Sequence, residues 1–253
     1  MKPSGNTILI TGGGSGIGLA LAQEFKELGN VVIIAGRSKQ KLANVERQGF
    51  QTLVVDMLDE ESIDGLANEA VSKFPELNVV IHNAGIMRPE NLKAERTTQT
   101  VQETIATNLT GPIRLTQALL PHFLKQKAAT IFTVTSGLAY TPLASIPTYC
   151  ATKAGLHSYT ESLRYQLMGT PVEVIEIAPP YVQTELMGAE QASDPHAMPL
   201  KEFISEVMQL IKSQPQIKEV LVGRVQPLRF ASMKGPQEYD AFFTQFNDMM
   251  KKF

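Results

Sequence analysis

Cysteine is nearly absent from this sequence. Cys150 is the only one in 253 residues, so no disulfide can form within the chain and a cysteine-rich metal site is excluded. That usage fits a reducing, cytoplasmic setting. Net charge is missing as well: 23 basic side chains nearly balance 25 acidic ones, and a net charge of −2 offers no basic field to nucleic acid or to an anionic membrane. The expected partner is a small molecule. Long apolar runs are also lacking. Nowhere do 18 apolar residues follow one another, which excludes a conventional membrane-spanning helix. Residues 1–6 lead into an apolar stretch of only four or five residues, too short for a signal-peptide core. What remains, 43% hydrophobic and 19% charged residues, is the balance of a soluble globular chain able to bury a sizeable core.

Short apolar or β-branched runs alternate with helix-period stretches along the chain. Residues 7–10, 31–35, 52–55, 79–82, 129–135 and 172–177 read as strands, and Val220 with Leu221 suggests a seventh. Helices are expected over 17–28, 39–48, 60–73, 98–125 with an interruption at Gly111-Pro112, and about 148–167. Strands with continuous rather than alternating hydrophobicity, separated by helices, imply a parallel sheet covered on both faces. The expected fold is therefore α/β, a Rossmann-type doubly wound three-layer sandwich with about seven strands. No repeat, low-complexity tract or charge block marks a linker, so residues 1–253 are expected to form one domain. The least regular stretch, 184–199, follows strand six at the sheet edge where such folds bind ligands. It reads either as a substrate lid, spanning about 184–215, or as an ordinary surface loop.

The segment Thr11-Gly12-Gly13-Gly14-Ser15-Gly16-Ile17-Gly18 follows the first strand and opens the first helix. Glycines there let the backbone turn sharply and approach a pyrophosphate, while free N–H groups and the helix dipole favour an anion. The spacing Gly12-x-x-x-Gly16-x-Gly18 is neither the common GxGxxG nor a P-loop, which needs a Gly-Lys-Ser/Thr ending. A glycine cluster alone also suits a simple turn; its place between strand and helix favours a dinucleotide site.

Tyr149 and Lys153 lie four apart on an expected helix, which puts phenol and ammonium on one face about 5–6 Å apart. A lysine charge so placed is expected to lower the tyrosine pKa and ready it for proton exchange near neutral pH. Ser136 ends strand five, thirteen residues earlier, where its hydroxyl can bond a substrate oxygen, and Asn108 can join the same polar network. None of the four histidines has metal-ligand spacing, and no metal is expected. Cys150, one helix position around from Tyr149, reads as a packing residue.

Together these segments resemble the short-chain dehydrogenase/reductase superfamily over about residues 5–185. Asn83-Ala84-Gly85 resembles its Asn-Ala-Gly motif, with His82 where a second Asn is usual. The resemblance implies an NAD(P)-dependent oxidoreductase with Asn108, Ser136, Tyr149 and Lys153 as catalytic residues. Tyr149 would exchange a proton with a carbonyl or alcohol, and Ser136 would orient the substrate oxygen. Lys153 would bind the nicotinamide ribose and lower the Tyr149 pKa, and Asn108 would hold a water that relays protons. Gly12, Ser15, Gly16, Ile17, Gly18, Asn83, Ala84 and Gly85 would line the cofactor with Tyr149 and Lys153. Asp56 and Met57 resemble the adenine-contacting pair, although Asp56 also suits a helix cap or turn. Pro179, Val182 and Thr184 match the segment after strand six, but Pro180 replaces the usual glycine and cannot copy its turn.

NAD-preferring members usually end strand two with an acidic residue. Here Gly36 stands there and Arg37 follows, a residue able to grip a phosphate in two-pronged fashion, so NADP is the expected cofactor with NAD as the alternative. Arg37 otherwise simply faces solvent. Residues 112–127 and 148–168 resemble the helices that pair in a common dimer of the family, which implies a homodimer. The Pro-Pro segment and the C-terminus resemble the DltE-type branch. Beside a carbonyl/alcohol oxidoreductase, a non-catalytic dinucleotide sensor and an epimerase or dehydratase remain compatible with the sequence.

Overall fold

The computed structural model describes residues 1–94 and 97–251. Its sheet has seven parallel strands in the order β3-β2-β1-β4-β5-β6-β7: β1 Thr7–Thr11, β2 Val31–Gly36, β3 Gln51–Val54, β4 Leu77–His82, β5 Ala129–Val134, β6 Val172–Ile177 and β7 Glu219–Val220. Helices α1 Gly16–Glu27, α2 Lys39–Glu46, α3 Glu60–Lys73, α4 Thr98–Ile105, α5 Gly111–Phe123 and α6 Pro147–Gln166 alternate with the strands. After β6 come α7 Ala189–Ser193, α8 Leu200–Ser213, α9 Gln226–Arg229 and α10 Pro236–Met250. The Rossmann-type α/β expectation is met.

Both faces of the sheet are buried, which explains the unbroken apolar strands. In β1, Ile8 and Ile10 pack with Phe25 of α1, Leu42 of α2 and Phe203 of α8, whereas Leu9 packs on the opposite face with Leu66 of α3, Leu119 of α5 and Leu163 of α6. Successive side chains thus enter two separate cores. Chain order reverses between β1 and β4, and such a switch point opens a crevice at the carboxyl ends of the strands.

Two boundaries differ from expectation. The helical run over 98–125 is not broken at Gly111-Pro112. It widens one turn earlier into a π-helical segment, Ala106–Thr110, and Pro112 sits in the first turn of α5. A proline has no N–H to offer the ladder, and the wide turn upstream accommodates that missing donor. The stretch 184–215, read as a substrate lid or a surface loop, includes α8, which buries Phe203, Ile204, Val207, Met208 and Ile211 in the core beside α1. The helix α10 had no counterpart in the sequence reading. No helix among the described residues is long and apolar enough to cross a membrane.

Candidate active site

The glycine turn sits at the switch point and is clasped from β4. Asn83 Nδ2 donates to the carbonyls of Thr11 and Gly12, both at 3.1 Å, and the backbone N–H groups of Asn83 and Ala84 donate to Thr11 Oγ. Gly12 has φ 67°, and a Cβ there would lie 2.7 Å from Ala84 Cα. At Gly18 a Cβ would stand 2.7 Å from the Gly12 carbonyl oxygen, so helix α1 approaches the turn only because neither position carries a side chain. Ser38 and Asp59 cap α2 and α3 with their side chains, and α3 adds Glu60 and Glu61 in its first turn. Helix α1 has neither device: Ser15 makes no capping bond and no acidic residue follows it. Its N-terminal N–H groups and positive dipole end are left for an anion, which is the fit a dinucleotide pyrophosphate requires.

A second cluster gathers where β4, β5 and α6 meet. Asn108, fully buried within the π-helical segment, accepts from Ile86 N–H and donates to Ile86 C=O, both at 2.8 Å, and also reaches Thr152 Oγ at 3.3 Å. A Cβ on Gly85 would lie 3.4 Å from Asn108 Oδ1 and 3.7 Å from Lys153 Nζ, so the Asn-Ala-Gly motif, Asn108 and Lys153 converge. Lys153 Nζ donates to the Val134 carbonyl at 2.8 Å and stands 5.6 Å from the centre of the Tyr149 ring. Ser136 lies within hydrogen-bonding reach of the Tyr149 phenol. Its Oγ also accepts from Leu138 N–H at 3.1 Å, which fixes the hydroxyl at the end of β5. The four expected catalytic side chains therefore meet at one edge of the sheet, and all are buried.

The segment after β6 borders both clusters. The Pro179 carbonyl accepts from Gly137 N–H at 2.8 Å, and a Cβ on Gly16 would lie 3.6 Å from the Thr184 side chain. Val182 is buried and forms a parallel bridge with Met198, which packs in the core. Gln191, missed in the sequence, organises this segment. Its Nε2 donates to the Val182 carbonyl and to Thr184 Oγ, and its Oε1 accepts from Met187 N–H. At the other rim Arg37 is exposed, and Lys41 Nζ donates to Ser15 Oγ at 3.2 Å. Lys41 was also missed, although a second cation four residues past Arg37 is visible in the sequence. Asp56 makes an Asx turn by accepting from Leu58 N–H, and the Met57 side chain packs inward toward Gly111.

The short chain dehydrogenase family model matches residues 6–195. The chain belongs to that family. It is accordingly an NAD(P)-dependent oxidoreductase. The uncharacterized oxidoreductase DltE of Bacillus subtilis (strain 168) is 41% identical over 253 residues, 98% of each chain, in keeping with the DltE-type resemblance. A short chain dehydrogenase from Burkholderia cenocepacia J2315 in complex with NADP superposes with a TM-score of 0.83 at 22% identity, over 96% of this chain and 99% of that one. A short chain dehydrogenase/reductase from Burkholderia phymatum in complex with NAD gives 0.79 at 20% identity, over 92% and 95%.

The electrostatics of this short chain dehydrogenase correct one expectation. The Tyr149 pKa is raised rather than lowered as its spacing from Lys153 suggested. Burial pushes Tyr149 above its ordinary value, outweighing the Ser136 hydrogen bond, and the neighbouring Cys150 adds to the rise. Burial also brings Lys153 down to about 8, with the Glu176 carboxylate pulling the other way. Sequence spacing places two groups side by side, but desolvation shifts each toward its neutral form, leaving Tyr149 a phenol and Lys153 charged only below about 8. Burial raises Cys150 to about 11, which keeps it a thiol, as its packing role requires. His82, buried and held at about 3, is neutral beside Thr116.

Proposed function

We propose that this short chain dehydrogenase is a cytoplasmic, NADP(H)-preferring enzyme that interconverts a ketone or aldehyde with its alcohol, using Tyr149 as acid/base. The observation that carries the reading is the convergence of the Ser136 and Tyr149 hydroxyls with the Lys153 ammonium at the carboxyl edge of the sheet. Bound nicotinamide would supply or accept hydride at the substrate carbon. The chain's own residues handle the oxygen. Ser136 orients it by hydrogen bonding, and Tyr149, kept a neutral phenol by burial, gives it a proton in the reducing direction. The phenolate left behind is balanced by Lys153 as long as that side chain is charged. Asn108 holds the Ile86 backbone and Thr152, and so fixes the helix that carries Tyr149 and Lys153.

The turn residues Gly12, Ser15, Gly16, Ile17 and Gly18 with Asn83, Ala84 and Gly85 hold the cofactor in this reading, and Pro179, Val182 and Thr184 border its nicotinamide end. Asp56 contacts adenine, with Met57 contributing through its backbone. Preference for NADP rests on Gly36, which offers no carboxylate to repel a phosphate, and on the exposed Arg37 with Lys41 beside the turn. A homodimer would pair α5 and α6, near whose ends Leu124, Tyr165 and Met168 are exposed.

The deciding experiment is fluorescence titration with NADPH and NADH, followed by a carbonyl panel read by nicotinamide absorbance, with Tyr149→Phe alongside. Turnover in the parent with a loss of about 10²–10⁴-fold in the variant, and unchanged NADPH affinity, is the expected result. Turnover that survives Tyr149→Phe would remove the tyrosine from the mechanism. Binding of neither nucleotide would overturn the reading altogether.

A further inference from the structure

Helix α10 packs beside Tyr149, although its first residue, Pro236, lies 87 residues farther along the chain. Its position is fixed by Asn247, a buried amide. The Asn247 Oδ1 accepts from Ala144 N–H at 2.7 Å, and Nδ2 donates to the carbonyls of Pro142 at 3.2 Å and Phe243 at 3.0 Å. Pro142 and Ala144 belong to the loop that joins Ser136 to α6, so the amide clamps α10 onto the connection between two catalytic residues. Flanking that clamp, Phe246 and Met250 pack against the buried cluster Leu143, Ile146, Tyr149 and Cys150, as do Met87 and Leu138. Phe246 and Met250 remain only half-buried.

A half-exposed apolar wall packed against the tyrosine that bonds the substrate oxygen calls for a ligand with one oxygen to be bonded and a hydrocarbon body to be desolvated. We propose that α10 is the substrate-side wall of the active site, with Phe246 and Met250 as the specificity-determining residues, and that the substrate is a carbonyl compound bearing an aryl or medium-length alkyl group. This rests on the carbonyl/alcohol reading above. The polar end of the substrate meets Ser136 and Tyr149, and its apolar body lies along Phe246, Met250, Met87 and Leu138.

The test compares Phe246→Ala and Met250→Ala with the parent on two ketone series, one aryl and long-alkyl and one short aliphatic. NADPH affinity and oligomeric state are measured on the same samples. The expected result is a rise of about tenfold or more in KM for the aryl and long-alkyl ketones. KM for short ketones, NADPH affinity and oligomeric state stay unchanged, and Phe246→Leu restores most of the difference. Equal losses on every ketone, no change on any, or an altered oligomeric state would overturn the proposal. Saturation-transfer NMR of an aryl ketone on the protein with NADP bound gives a second readout that needs no turnover. Binding weakened by Phe246→Ala supports the wall even where no ketone is reduced, an outcome that counts against the redox reading alone. An aryl ketone that fails to bind the parent, or binds Phe246→Ala equally well, overturns the wall.

Discussion

The cofactor side and the substrate side proposed for this active site are built on opposite principles. The cofactor side is made of backbone: glycines that admit close approach, N–H groups at an uncapped helix end, and Asn83 bridging two strand ends. The substrate side is made of side chains brought from far apart in the chain, with Asn247 reaching back more than a hundred residues to Pro142 and Ala144. Backbone geometry tolerates almost no variation in residue type, whereas an apolar wall accepts many. One side can therefore stay fixed while the other is refitted to a different substrate.

The sharpest way to break the contrast is to crowd the backbone side. Gly12→Val puts a branched side chain at φ 67° against Ala84 Cα, and NADPH affinity is expected to fall about a hundredfold or more, the scale on which a displacement of about 1 Å acts. Fluorescence titration reads it. Phe246→Ala should leave the same titration unmoved.

Glu176 lies fully buried on β6. It accepts from Thr135 Oγ at 2.6 Å and Tyr140 Oη at 3.0 Å and pairs with His157 Nδ1 at 2.8 Å. Glu176→Ala strands these partners and is expected to lower stability by about 3 kcal/mol in urea unfolding. Burial alone would raise the Glu176 pKa, but His157, Thr135 and Tyr140 bring it below its usual 4.5. The Glu176 hydrogen bond raises His157 above its usual 6.5, against the opposing effect of burial. The carboxylate's contribution is complete above 4.5 and lost as pH falls through its lowered value. The imidazolium's contribution is complete below 6.5 and lost as pH rises through its raised value. The pair thus supports the fold most between those two values, and Glu176→Gln should flatten that part of the stability profile.

Catalysis has its own pH signature. Lys153 is charged below about 8, so carbonyl reduction should decline by roughly a decade per pH unit above that point, in kcat/KM against pH. A profile flat to pH 10 would show that the ammonium is not needed to balance the phenolate. The smallest expected effect is at the cofactor rim. Arg37→Ala should weaken NADPH about tenfold and leave NADH unchanged. Equal weakening of both would place Arg37 away from the 2′-phosphate.

Much of the cofactor side was legible in the sequence because its signals are local. Glycine spacing after a strand, and Tyr149 four residues before Lys153 on a helix, each define a geometry within one element. The substrate side was less legible. Helices α8 and α10 carry helix-period apolar residues, such as Phe203, Val207 and Ile211, or Phe242, Phe246 and Met250. Periodicity does not say which surface receives them, and α8 is core within a stretch that read as either a lid or a surface loop. The Tyr149 pKa was misjudged for a related reason, since spacing reveals a neighbouring charge but not how much water the fold removes. The π-helical segment has no sequence signature at all, its residues Ala106 to Thr110 being compatible with an ordinary helix.

That wide turn makes chain length, and not only residue identity, a constraint on the enzyme. Each residue of an α-helix advances it by about 100°. Deleting one residue between Ala106 and Thr110 would either swing Asn108 away from the Ile86 backbone or rotate Leu115, Leu119 and Phe123 off the sheet. Within this stretch, single-residue insertions and deletions are therefore expected to cost more than point substitutions away from Asn108.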